Sequence, residues 1–77
     1  MNFNPIKTQK ISAQVAEQIR SSILAGEFTP GQKLPTERKL ADVFGVSRPT
    51  VREAINMLVS AGLVMSYQGS GTIVLAL

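Results

Sequence analysis

Four basic side chains near the middle of the chain are the residues best suited to bind an anion. Arg38 and Lys39 lie at the start of one predicted helix, and Arg48 and Arg52 lie four residues apart at the start of the next. Arginine donates two parallel hydrogen bonds to O6 and N7 of guanine, and a hydroxyl such as that of Thr50 bonds phosphates or bases. Since the first residues of a recognition helix enter the major groove, this cluster predicts contact with double-stranded DNA.

The same arginines have a simpler interpretation as members of surface ion pairs. In that interpretation Arg52 pairs with Glu53 or with Glu37 on a solvated surface, and the pair has no ligand. We favour DNA contact because the basic residues cluster at the tip of a helix that follows a helix-turn-helix pattern. Surface pairing alone does not require that placement.

The composition of the chain excludes most enzyme chemistry. The 77 residues include no cysteine and no histidine, which removes thiol nucleophiles, thiolate metal sites and the usual general base. The carboxylates form no evident paired motif, so we expect no enzyme, no metal site and no cofactor. Eight basic against five acidic side chains, a net charge of +3 and a pI of about 9.8 favour an anionic partner.

The length fits one small domain, and the sequence lacks the pattern of a membrane segment. No apolar run approaches the ~20 residues that a membrane-spanning helix needs. The first ten residues lack the apolar core of a signal peptide, so we expect a cytoplasmic protein. We divide the chain into a flexible N-terminal arm at residues 1–10, one domain at 11–75, and the start of a linker at 76–77.

Capping residues and apolar spacing predict three helices. The first runs from Ile11 to Ala25, because apolar residues recur every fourth position from Ile11. Thr36 is a good N-cap for the second, which Gly45 closes. The third starts after the N-cap Ser47, ends at Ala61, and buries a stripe of apolar residues: Val51, Ala54, Ile55, Leu58 and Val59.

The second and third helices have the features of a helix-turn-helix. Ala41 provides the small residue that close helix approach requires, and Gly45, four residues later, tolerates a positive φ in the turn. Leu40, Phe44 and Val46 are apolar residues that can fix the angle between the helices. Helical hairpins of plain bundles share some of these features, so the pattern alone leaves both readings open.

The last segment has the composition of a β-hairpin. Residues 63–67 and 72–75 are β-prone, and the Gln68–Gly71 stretch between them is a turn without lysine or arginine. Lys33 and Leu34 predict a very short strand earlier in the chain. The turn around Gly69 is a structural turn in one interpretation and a DNA contact beside the third helix in the other, through its shape and backbone N–H groups.

These residues, taken in order, resemble the GntR-type bacterial transcription regulators. The resemblance covers residues 11–74, and long ordered runs of matching residues make it specific. They are Gly26-Glu27-Phe28-x-Pro30-Gly31-x-x-Leu34-Pro35-Thr36-Glu37-Arg38-x-Leu40-Ala41, Phe44-Gly45-Val46-Ser47-Arg48-Pro49-Thr50-Val51-Arg52-Glu53-Ala54-Ile55, Leu58, Gly62-Leu63-Val64 and Gly69-x-Gly71-Thr72-x-Val74. Pro49 and the Val51–Ala54 run resemble the FadR-like branch more than the others.

The resemblance implies a mainly α fold with a small β-hairpin, the winged helix-turn-helix. It implies a domain that binds short inverted-repeat operators as a homodimer, with the third helix in the major groove and the hairpin, or wing, at the minor groove. The positions that match DNA-contacting residues of the family are Arg38, Arg48, Thr50, Arg52 and Gly69. To these we add Lys39 as a phosphate contact, on the charge pattern.

Two departures and one missing part qualify what the resemblance implies. Pro49 has neither an N–H nor a hydroxyl, and Gln68 stands where some relatives carry a basic or histidine side chain. The family also carries a larger C-terminal domain that binds an effector, and this chain ends, in an apolar run, where that domain would begin. The alternative function is a winged helix that binds protein, which requires an apolar outer face on the third helix.

Overall fold

The computed structural model describes residues 2–3, 10–67, 69 and 71–75. Most of the predicted N-terminal arm, Gln68 and the predicted linker start at 76–77 therefore lie outside the described residues. Three helices precede a two-stranded antiparallel hairpin: α1 (Ile11–Leu24), α2 (Glu37–Phe44), α3 (Arg48–Ser60), β1 (Val64–Tyr67) and β2 (Gly71–Val74). The predicted fold class, three helices and a wing, is confirmed.

Side-chain caps begin α2 and α3 at the residues that the sequence predicts. The Thr36 hydroxyl accepts a hydrogen bond from the Lys39 N–H at 3.1 Å, and the Ser47 hydroxyl accepts one from the Thr50 N–H at 3.2 Å. Each cap satisfies a backbone donor that the first turn of a helix leaves unpaired. The ends of α1 and α3 come one residue earlier than predicted, because Ala25 and Ala61 are C-caps rather than helical residues.

The turn of the helix-turn-helix depends on glycine at position 45. Gly45 has φ 68° and ψ 36°, and its N–H donates to the Ala41 carbonyl at the end of α2. A Cβ added there would meet no atom within 4 Å. Any cost of a side chain at this position is therefore conformational rather than steric, since the left-handed region disfavours residues with a Cβ.

Replacing Gly45 by alanine should lower the free energy of unfolding by about 1–2 kcal/mol. Urea denaturation followed by helical circular dichroism measures the change. Asparagine tolerates the left-handed region better than alanine, so Gly45→Asn is the matched control and should recover part of the loss. Equal stabilities for the alanine variant and the wild type would show that the turn does not need this conformation.

The wing is held on the core by pairing along both sides of β2. One side pairs with β1, in a register that sets Val64 opposite Val74 and Tyr67 opposite Gly71. On the other side the Leu34 N–H donates to the Thr72 carbonyl at 2.9 Å, and Lys33 forms an isolated bridge with Ile73. The short strand predicted at Lys33 and Leu34 is thus confirmed as a single bridge.

The strand limits differ slightly from the prediction, for local reasons. Leu63 lies outside β1 because its N–H donates to the Leu58 carbonyl and so closes the end of α3. Gly71 belongs to β2 because it pairs with Tyr67. Leu75 falls after β2, although its N–H still donates to the Leu63 carbonyl at 3.0 Å.

The core surrounds α3, which packs against α1, α2 and β1. Val51 and Ala54 are fully buried, and Val64 and Val74 seal the core from the wing side. Three residues of the predicted apolar stripes, Ile11, Leu24 and Val59, are exposed, so those assignments were wrong. Ile11 is the first residue of α1, beyond the edge of the core, and Val59 lies about 100° around α3 from the buried Leu58. Among the described residues, no helix combines the length and the apolar character that crossing a membrane requires.

Candidate nucleic-acid interface

Glu37, at the start of α2, binds the two arginines at the start of α3. Arg52 donates from Nε to Oε2 at 3.2 Å and from an Nη atom to Oε1 at 3.0 Å, which is a two-point contact. Arg48 approaches the same Oε1 at 3.8 Å. The capped starts of the two helices bring these side chains together, although Glu37 and Arg52 are 15 residues apart in the sequence.

The ion pair with Glu37 is one of the two that the simpler interpretation of Arg52 allowed, the other being a pair with Glu53. It does not exclude DNA contact, because the Arg52 side chain remains 57% exposed and Glu37 occupies only two of its five N–H donors. A two-point contact also restricts the rotamers of a long side chain. Glu37 therefore holds Arg52 in one orientation, with donors still directed to solvent.

The hydrogen bond from Arg52 is the main cause that lowers the pKa of Glu37. Burial opposes it, and the charges of Arg52 and Arg48 lower the pKa further. The carboxylate is therefore ionised at neutral pH. Because the pKa in the folded state lies below that of the unfolded chain, the pair stabilises the fold above the unfolded pKa. That contribution is lost as the pH falls through the folded pKa.

Replacing Glu37 by glutamine should flatten the acid side of the curve of stability against pH. Urea denaturation of both chains across the range from neutral to about pH 3 measures this, and the difference in unfolding free energy should shrink as the pH falls. Glu17→Gln removes a carboxylate for which an exposed pair with Arg20 is the only described contact, and serves as the control. A difference between Glu37→Gln and the wild type that stays constant with pH would contradict the role given to the carboxylate.

An open cleft separates the wing from the starts of α2 and α3. The positive side chains along it are Lys33, Arg38 and Arg48. On its wing side the hydroxyls of Ser66 and Thr72 lie 3.4 Å apart. Glu37 also lines the cleft, where its carboxylate is paired with Arg48 and Arg52. The cations and small hydroxyls around it suit a row of phosphates.

The structure brings three of the predicted contact residues to this cleft: Arg38, Arg48 and Gly69. Arg52 lies beside it, bound to Glu37. Thr50 is half-buried at the start of α3, with its hydroxyl 2.9 Å from that of Ser47. Gly69 has φ 81° in the turn of the wing and is exposed, so its backbone is accessible there.

Lys39 is the predicted contact that the structure sets apart. It lines a different groove, between α1 and α2, with Gln18, Ser22 and Val43. Lys33 is the cleft residue that the sequence analysis missed. The short strand predicted at Lys33 was the available signal, because a strand that pairs with the hairpin carries this side chain to the wing.

Glu53, the one acidic residue of α3, is bound on the flank of the helix that faces α1. The buried Ser12 hydroxyl of α1 donates to Glu53 Oε1 at 2.7 Å, and Lys10 Nζ lies 3.8 Å from the same oxygen. Glu53 thus pairs with the start of α1 and not with Arg52. The first half of α3 is therefore fixed by polar contacts to α2 on one side and to α1 on the other.

Comparison with known proteins points to one family. Residues 11–74 match the model for bacterial regulatory proteins of the gntR family. The chain is 47% identical over 74 residues to the transcriptional regulator Mce2R of Mycobacterium tuberculosis, covering 96% of this chain and 31% of that protein. It is 43% identical over 74 residues to the transcriptional repressor NagR of Bacillus subtilis, covering 96% and 30%. Both relatives are named as regulators, not as enzymes, and this chain spans about a third of their length.

A solved structure of similar sequence contains DNA. The DNA-binding domain of AraR, in complex with its operator ORX1, is 47% identical to this chain and superposes with a TM-score of 0.83. The match covers 96% of this chain and 92% of that domain. The fold and the sequence thus agree over nearly the whole of both chains.

Proposed function

The chain belongs to the gntR family of bacterial regulatory proteins, and on that premise we propose that it is the sequence-specific DNA-binding domain of a transcription regulator. The observation that carries the proposal is the cleft beside the start of α3, where Lys33, Arg38 and Arg48 meet the wing. The operator complex of the AraR domain, which has the same fold, supports it. We assign residues 11–75 to this domain.

The proposed mode of binding sets the start of α3, the recognition helix, in the major groove. Arg48, Thr50 and Arg52 then face base edges, and Arg38 and Lys39 bind phosphates. The cleft receives one strand of the sugar-phosphate backbone, and the turn at Gly69 meets the neighbouring minor groove. Glu37 contributes indirectly, since it orients Arg52 before DNA arrives.

We further propose that two copies bind a short inverted repeat, which matches the two-fold symmetry of a homodimer. The curated relatives extend well beyond the matched segment, which supports a longer regulator whose additional domain binds an effector and alters operator binding. The name of the relative NagR as a transcriptional repressor supports a repressor. Pro49 and the Val51–Ala54 run favour the FadR-like branch, which these relatives do not distinguish, so the branch stays a prediction.

A salt titration tests the proposal against the alternative of a protein-binding winged helix. The affinity of the 77-residue chain for a labelled 20-base-pair duplex is measured by fluorescence anisotropy at increasing salt. DNA binding requires a steep linear fall of log K with log salt, because each neutralised phosphate releases counterions. An affinity too weak to measure at low salt would reject the proposal and favour a protein partner.

Replacing Lys39 by alanine should weaken binding to every duplex by a similar factor and lower the salt slope by about 1. The reason is that a lysine bound to a phosphate neutralises charge without reading sequence. Because Lys39 lies outside the cleft, Lys33→Ala is the matched comparison, with the same loss of charge at a residue that lines it. An unchanged slope for Lys39→Ala would remove this residue from the interface.

A further inference from the structure

The start of α1 is joined to the recognition helix by a hydrogen bond and an ion pair as well as by apolar packing. Ser12 is only 4% exposed, and its hydroxyl is bonded to Glu53 Oε1 across 41 residues of sequence. This bond fixes one carboxylate oxygen against α1. Lys10 Nζ lies 3.8 Å from that same oxygen.

The pair of Lys10 and Glu53 contributes little to the stability of the fold. The lysine side chain is 79% exposed and the glutamate 53%, and solvent screens the attraction between charges so exposed. The pair instead positions Lys10, because Glu53 is held by Ser12 and keeps the lysine ammonium close to α3. Lys10 is the more exposed partner of the pair, so its ammonium group lies on the solvent side of the Glu53 carboxylate.

Lys10 lies on the flank of α3 that faces α1, and it does not line the cleft. Arg48 and Arg52 reach toward Glu37 of α2, whereas Glu53, the next residue after Arg52, reaches toward α1. The first half of α3 therefore carries bound cations on both flanks. A helix in the major groove runs between two rows of phosphates, one on each side of the groove.

Resting on the proposed function, we infer that Lys10 is a phosphate contact on the strand opposite the cleft, held there by Glu53. The cleft receives one row of phosphates and the start of α1 meets the other. Glu53 acts as a positioning residue, and its own charge is offset by the lysine between it and the backbone of the DNA.

Neutral phosphates in a defined duplex test the contact. The duplex is one selected in vitro with this chain, and each variant carries a single methylphosphonate at one position. Replacing one particular phosphate on the α1 flank should lower the affinity of wild type but leave the affinity of Lys10→Gln unchanged. The slope of log K against log salt should also be smaller for Lys10→Gln by about 0.9. Arg20→Gln removes the same charge from α1, the helix that Lys10 caps, at a residue paired only with Glu17 among described residues, and should keep the wild-type pattern.

If Lys10→Gln keeps both the wild-type slope and sensitivity at every phosphate, Lys10 does not touch DNA. Wild type that binds no duplex at all would instead reject the proposed function, so the two failures are distinguishable. The positioning role of Glu53 is tested by a double-mutant cycle with Glu53→Gln. Lys10→Gln should reduce affinity by a smaller factor in that background, and strictly additive effects would overturn the positioning role.

Discussion

Replacing Arg52 by alanine should weaken binding to a selected operator by about 1–3 kcal/mol and blur the preference at one base pair. The arginine is fixed by two hydrogen bonds to Glu37 and still has donors exposed at the start of α3. A donor already oriented loses little side-chain entropy when it binds a base edge. Anisotropy with the selected duplex, and with duplexes altered one base pair at a time, measures the loss.

Two controls separate base recognition from charge and from folding. Arg52→Lys keeps the charge without the two-point geometry, so it should retain non-specific affinity and lose discrimination. Arg20→Ala removes an equal charge from α1 and should leave discrimination intact. The pair of Arg52 with Glu37 is solvent-exposed and contributes little to folding, so circular dichroism should show a folded Arg52→Ala chain. Unchanged affinity and preference in that folded chain would disprove base contact by Arg52.

Replacing Leu58 by alanine should lower the free energy of unfolding by about 2–5 kcal/mol. Leu58 is 2% exposed in the middle of the core around α3, and its removal leaves a cavity there. A domain of this size is stable by only several kcal/mol, so much of the variant should be unfolded at 25 °C. Urea denaturation of the two chains gives the difference.

The adjacent residue provides the control for this substitution. Val59 follows Leu58 on α3 but is 38% exposed, so Val59→Ala should change stability by roughly 0.5 kcal/mol or less. Operator affinity should fall with the folded fraction in Leu58→Ala and recover when the measurement is corrected for unfolded chain. Similar losses for both variants would place the centre of the core elsewhere.

The sequence predicts the elements well, because their signals are local. Thr36 and Ser47 start helices through bonds to residues only three positions away, and Gly45 ends one through its own backbone conformation. Val59 was assigned wrongly because period alone does not say where a buried stripe ends. Its burial depends on which neighbours lie beside the helix.

The sequence proposes most residues of the candidate interface but does not predict the contacts among them. Charge and position identified the arginines, but the choice between Glu37 and Glu53 as the partner of Arg52 depends on how α2 crosses α3. That angle is set by packing between distant residues. Lys33 was missed for the same reason, since only pairing with Ile73 brings it to the wing.

The central proposal is that the start of α3 reads DNA sequence, and selection from a pool of random duplexes tests it most directly. The wild-type chain and Arg52→Ala are carried through the same rounds of binding and sequencing. Recognition by α3 predicts that wild type enriches a short inverted repeat, and that at least one base preference within it disappears with Arg52→Ala. A wild-type pool without any enriched sequence would contradict the proposal.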